Sequence, residues 1–416
     1  MKLQSANSKD RRAEVKATAW ALVVELVPVI SSVVFFFVLV NYISPDDYGI
    51  MTAATALGLM SIPLSTFGAG TVMWRSIGST NDRSGAWSKA FSVTLVGPLI
   101  VLVLLLALRP LLLSQVGLWT FALLLFQQMT VFILTDLAVF YLISVGAVRT
   151  AAVSRLIFAA FRLAAVYFFV AFADHTLESL AQVLACFGLA SLLAVLWHLR
   201  RSQGLAMVPR RVARSELLEG VPDALGVSAN GLLNVSDRPL LVGFGFEADG
   251  GRYAVGNRLA LLGNIPLLAI LRTFDQRLTV AGAKSRQDGW ELTTSVMKRT
   301  VPVSLIVSAT ALALTPLLSL LLPEQYGGAI DIVRVMLILP VLRSVQYPIG
   351  NLLTVGGDRA IRAWITFAAL VGNFLANLVL IPHFSWKAAA GTTIAAELMM
   401  TVAFYVVLKR RLGRAR

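Results

Sequence analysis

The chain has 416 residues, 57% of them hydrophobic and only 14% charged, with a mean hydropathy of +0.77, and that composition excludes an ordinary soluble globular protein. Its formal net charge of +14 invites a nucleic-acid reading, but the charges are sorted by side of a membrane rather than gathered into a patch, so no nucleic-acid partner is expected. A single cysteine, Cys186, and three scattered histidines, His175, His198 and His383, point to no internal disulfide, no metal cluster and no cofactor.

Hydrophobic runs of about 20 residues, each able to cross about 30 Å of hydrocarbon, recur along the chain. They predict twelve helices, at 17–43, 48–74, 89–108, 117–144, 151–172, 178–199, 219–245, 252–276, 299–322, 329–354, 361–382 and 387–408. No segment between them exceeds about 25 residues, so one all-α membrane bundle must carry the function. The first run is too long for a signal-peptide core and lacks a small-residue cleavage site, so it is read as retained.

Basic residues divide sharply between the two faces. Segments on the side of the N-terminus carry 27 of the 36, from Lys2, Lys9 and Arg11 through Arg200, Arg201, Arg210 and Arg211 to Arg410 and Arg416, against Arg109, Arg252 and Lys387 on the other. The positive-inside rule then places both termini in the cytoplasm.

Charges inside the spans come next, in chain order. The first span holds Glu25 beside Pro28, the fourth holds Gln127, Gln128 and Asp136, and the fifth holds Arg162, two turns inside Arg155. An ionised group at the bilayer centre costs about 2.5 kcal/mol or more, so such groups face protein or water. In coupled transporters embedded acids such as Asp136, Glu25 and Glu397 carry a proton or hold an ion, while hydrogen-bonded structural carboxyls are as common.

The seventh span reads LLNVSDRPLLVGFG over 232–245. Asp223, Asn230, Asn234 and Asp237 fall at i, i+7, i+11 and i+14, on one helix face, which predicts a polar stripe lining a wet cavity. Arg238 lies next to Asp237, and Pro239 removes a backbone donor and bends the helix there. In the eighth span Arg258 comes to a depth similar to that of Asp237, so the two can pair, and Arg272 precedes Asp275 by three residues. Arg343, beside Pro340 in the tenth span, is the deepest base and has no evident acid at its depth. Arg334 snorkels to an interface. Asn373 and Asn377, at i and i+4, suit interhelical hydrogen bonding. Glu397 shares a face with Thr393 and Thr401.

Two short echoes join the halves. Tyr48 and Gly58 match Tyr253 and Gly263 at an offset of 205, and Val145, Gly146 and Arg149 match Val355, Gly356 and Arg359 at 210. A duplicated six-helix unit follows, with an N-terminal lobe at 1–199, a cytoplasmic linker at 200–216 and a C-terminal lobe at 217–416. Two pseudo-symmetric lobes around a central cleft are the build of an alternating-access transporter.

Taken together, the YISPDDYG turn, SDRPLLVGFG followed by GGRYAVGNRLALL, LLPEQYGGAIDIVRVMLILP and GNLLTVGGDRAIRAW resemble a polysaccharide flippase. The resemblance is to the oligosaccharide-lipid branch of the multidrug/oligosaccharidyl-lipid/polysaccharide exporter superfamily. Ser236, Asp237, Gly243 and Tyr253 match its second-half pattern, with Arg252 where a glycine often stands. The resemblance implies a multi-pass protein of the bacterial inner membrane that flips an undecaprenyl-pyrophosphate-linked repeat unit between leaflets, beside polysaccharide polymerase and export machinery. Guanidinium groups suit phosphate oxygens, so the substrate-binding set expected in the cleft is Arg343, Arg258, Arg238, Asp237, Asn234, Asn230, Arg272 and Arg162.

Three other readings compete. A drug/cation antiporter of the same superfamily would need a cleft dominated by acids and aromatics. A membrane enzyme of glycan assembly would need catalytic groups on a long surface loop, whereas the loops on the weakly basic face are short. A channel would need a repeated ring of carbonyls or charges.

Overall fold

A computed structural model describes residues 2–80 and 82–413, with the side chains of 2–18, 222, 223, 225–230, 276 and 283 outside the description. Among the described residues the secondary structure is helical, without a strand.

In chain order the helices are α1 Lys2–Leu39, α2 Pro45–Thr66, α3 Ala69–Thr80, α4 Arg83–Leu112, α5 Leu118–Phe126, α6 Ile133–Ser144, α7 Val148–Phe172, α8 Leu177–Gln203, α9 Arg214–Leu233 and α10 Asp237–Gly243. There follow α11 Glu247–Leu262, α12 Asn264–Lys284, α13 Arg286–Ala313, α14 Thr315–Leu321, α15 Ala329–Met336, α16 Ile338–Val355, α17 Arg359–Phe384 and α18 Trp386–Gly413. A π-helical turn, Gln127–Phe132, joins α5 to α6.

Nine of these stretches are long and apolar enough to cross a membrane unbroken, and α11 with α12 forms a tenth, bent by 41°. The two remaining expected crossings, the seventh and tenth, are the interrupted pairs α9–α10 and α15–α16. With them the chain has the twelve-helix, two-lobe architecture read from the sequence.

Three of the interruptions share a cause. They fall at 234–236, Gly263 and Leu337, and a proline follows each, Pro239, Pro266 and Pro340. A proline three residues beyond the break lacks the donor for the carbonyl four positions back and crowds it. At the first break the freed backbone tightens instead: Val235 N–H donates to Leu232 O at 3.2 Å and Arg238 N–H to Val235 O at 3.4 Å. At the third, Ser308 Oγ donates to Leu337 O at 2.8 Å. Irregular backbone at membrane depth is tolerated where protein or a wet cavity covers it.

The chain divides into two compact units, 1–43 with 54–227 and 44–53 with 228–416. In the first, buried Trp87 stacks on Phe91 at 5.6 Å and meets the edge of Tyr141 at 5.4 Å, inside a core that includes Met73, Leu134, Val195 and Leu199. Asp82 caps α4 through Gly85 N–H at 2.8 Å, and α8 ends at Gly204 with φ +65°. The segment after it stays on this unit: Leu205 is buried and Arg210 N–H donates to Ser92 Oγ at 2.7 Å.

In the second unit one core cluster holds Leu241, Tyr253, Ile332 and Met336, and another holds Leu352, Met400 and Phe404. The start of α2 lies against α11 so closely that a Cβ on Gly49 would strike Glu247 O, and one on Gly251 would strike Pro45 O. Glycine is required on both sides of that crossing.

The echoes have structural counterparts. Tyr48 and Tyr253 each sit near the start of a helix and are 1% and 0% exposed. At the other echo Ala147 N–H bonds Leu142 O at 2.8 Å and Asp358 N–H bonds Leu353 O at 2.9 Å, the six-to-one closure of a helix end. The left-handed glycines of those turns are Gly146, φ +76°, and Gly357, φ +86°, one position beyond the offset that the letters alone suggest.

Candidate functional site

The broken spans of the second unit bring polar side chains into its buried interior. Arg343, in the first half of α16, is 3% exposed. Its Nε donates to Glu397 Oε1 at 2.8 Å, and its Nη2 donates to the same oxygen at 2.6 Å and to Asn234 Oδ1 at 2.5 Å. The ion pair ties α16 to α18, and Asn234 comes from the interruption between α9 and α10. The expectation that Arg343 meets no acid at its depth is therefore corrected. Arg343 lies fourteen residues into the tenth span and Glu397 ten into the twelfth, and the packing of α16 against α18 brings the two together.

Beside this triad, Asp237 is 1% exposed and accepts a hydrogen bond at Oδ2 from the hydroxyl of fully buried Tyr253. Tyr253, not Arg258, reaches Asp237. Tyr253 stands five residues, more than one helical turn, nearer the α10–α11 connection than Arg258 does, and this sets its hydroxyl opposite Asp237. Arg258 instead donates from Nη1 to Tyr48 Oη at 3.2 Å, and Tyr48 lies edge-on to Tyr326 at 6.2 Å.

The remaining expected residues are dispersed. Asp136 pairs with Arg155 at 2.6 Å in the first unit, where Arg162 stands over the Phe35 ring at 4.2 Å. Glu25 lies on an exposed face of α1, and Arg272 is exposed on α12; both make polar or ring contacts, as do Arg162 and Arg258. Asp275 accepts from Asn351 Nδ2 at 3.4 Å. Arg334 is bound to Asp331 at 2.9 Å on the exposed face of α15. Of the predicted stripe, Asn234 and Asp237 are placed as above, while the side chains of Asp223 and Asn230 lie outside the described residues. Asn377 Nδ2 donates to Asn373 Oδ1 at 3.1 Å within α17, and Thr392 Oγ1 reaches across from α18 to Asn377 Oδ1 at 2.6 Å.

Among the buried polar atoms of this unit, Ser236 Oγ, Asp237 Oδ1, Arg238 Nε, Asn264 Oδ1, Ser304 Oγ, Asn373 Nδ2 and Glu397 Oε2 have no hydrogen-bond partner among the described residues. Buried polar atoms left unpaired are costly, so each calls for a water or a ligand group. Hydroxyls, which donate and accept, satisfy such a mixed set. The roles of Tyr253 and Tyr48 escaped the sequence reading, although Tyr253 stood in the quoted motif; its hydroxyl needed an acceptor once buried.

No family model and no curated sequence matches the chain. Solved structures share its fold. The chain is similar, with a TM-score of 0.70 and 13% identity over 91% of its length and 94% of the other, to an inward-facing conformation of a multidrug resistance MATE family transporter of the MOP superfamily. It is also similar to an outward-facing conformation of such a transporter, with a TM-score of 0.61 and 12% identity over 96% and 95% of the two chains. A third likeness, with a TM-score of 0.58 and 14% identity over 96% and 95%, is to a MOP superfamily transporter from Pyrococcus furiosus, described by a binding pocket of reversed polarity that suggests a different function.

Proposed function

We propose that the chain flips an undecaprenyl-pyrophosphate-linked oligosaccharide across the bacterial inner membrane by alternating access, for export of a surface polysaccharide. One observation carries this reading over cation export. Each of the four embedded acids whose contacts are described already accepts from a donor: Asp136 from Arg155, Asp237 from Tyr253, Asp275 from Asn351 and Glu397 from Arg343. A cation would compete with these donors for the acids, whereas a pyrophosphate binds guanidinium donors, which form its strongest hydrogen bonds. The unpaired hydroxyls and the amide of Asn234 suit the sugar.

The fold supports the transport half of the proposal, since proteins that share it have been solved facing inward and outward. Rocking of two lobes would expose the head group to each side in turn while the lipid tail stays in the bilayer. The cation-antiporter reading has its own support in the multidrug description of the first two of those structures.

Deletion and complementation in the source organism separates the two. The flippase reading expects lipid-linked repeat units to accumulate on the cytoplasmic leaflet and surface polysaccharide to fall. Intact surface polysaccharide together with lost tolerance to cationic drugs would overturn it.

A further inference from the structure

A groove of about 580 Å³ runs between α17 and α18, away from the polar triad. Its walls are mostly small: Gly372 and Ala376 on α17, Gly391 and Ala395 on α18. A Cβ added at Gly372 or Gly391 would meet no atom within 4 Å. Glycine inside a helix costs about 0.8–1.0 kcal/mol relative to alanine, and here no close approach of protein offsets that cost. Both glycines are exposed, so the groove opens outward along the two helices. Asn373 lines the groove, is 3% exposed, and its Nδ2 has no partner among the described residues.

The dimensions select the occupant. From Ala369 to Phe384 the groove follows α17 for about 22 Å at 1.5 Å per residue, more than half of the roughly 30 Å hydrocarbon core. A groove of this length with small, apolar walls can take one aliphatic chain laid along it. At one mouth stand exposed Phe384 and exposed Lys387 in the first turn of α18. A lysine and a helix N-terminus favour an anion there.

We propose that the groove between α17 and α18 holds one acyl chain of an anionic phospholipid from the leaflet at the Lys387 end, with its phosphate against Lys387. The lipid is a resident ligand of the second unit, separate from any transported molecule. Native mass spectrometry of the full chain, equilibrated with phosphatidylglycerol or phosphatidylcholine in detergent, tests this. The wild type is expected to retain phosphatidylglycerol. The double variant Gly372→Leu with Gly391→Leu, which fills open space and should unfold thermally no earlier than wild type, is expected to lose it. Lys387→Gln is expected to bind phosphatidylglycerol about fivefold more weakly and to lose the preference over phosphatidylcholine. Equal retention by the groove-filled variant would overturn the proposal. So would a wild-type dimer that the double variant converts to monomer, since a second copy would then be the occupant.

Discussion

The ion pairs Arg155–Asp136 in the first unit and Arg343–Glu397 in the second have the same separation, 2.6 Å. Their surroundings differ. The side chains are 18% and 49% exposed in the first pair and 3% and 4% in the second. Burial, not distance, sets what each pair does. The half-exposed pair can exchange its partners for solvent at little cost, whereas each member of the buried pair depends on the other for solvation. The buried pair lies next to the broken seventh and tenth spans, and the continuous but π-wound fourth span carries the exposed acid.

The largest effect expected from this contrast is on Arg343. Arg343→Ala should destabilise the protein by about 3–5 kcal/mol, because it leaves a buried carboxylate alone, and thermal unfolding in detergent measures it. Arg343→Leu combined with Glu397→Leu should recover most of that loss. A single variant no worse than Asp136→Asn would break the comparison. Next comes Tyr253→Phe, which strips the donor from buried Asp237 and should cost about 1–3 kcal/mol in the same assay. Asp136→Asn should cost about 0.2–1 kcal/mol, and an effect as large as that of Arg343→Ala would show that Asp136 is buried in the working protein.

The smallest effect concerns pH. The hydrogen bond from Lys89 holds the Glu216 carboxyl below its ordinary value of 4.5. A depressed folded-state value means that the stabilisation is present above about pH 4.5 and is lost as pH falls through the folded value. Melting curves of wild type and Lys89→Gln should differ slightly at pH 7 and converge toward pH 3. A gap that widens in acid would contradict the pairing.

Much of this contrast was legible in the letters. Hydropathy placed the spans, and Pro239 marked the bend in the seventh. The breaks at Gly263 and Leu337 precede Pro266 and Pro340 in the same way, which hydropathy alone does not register. Partner choice was not legible. Arg343 with Glu397, and Tyr253 rather than Arg258 with Asp237, depend on which helix faces pack together, and counting residues from span ends gives depth but not facing. The groove was also hidden, because Gly372 and Gly391 lie on different helices and only their packing leaves the space between them open.

The most direct measurement is translocation in proteoliposomes that contain the purified chain and a fluorescent pyrophosphate-linked oligosaccharide lipid. The account predicts that the wild type exchanges the head group between leaflets faster than protein-free vesicles, and that Arg258→Gln slows this about tenfold, the effect of one lost charged hydrogen bond. Exchange no faster than in empty vesicles, with uptake of an organic cation by the same preparation, would contradict it.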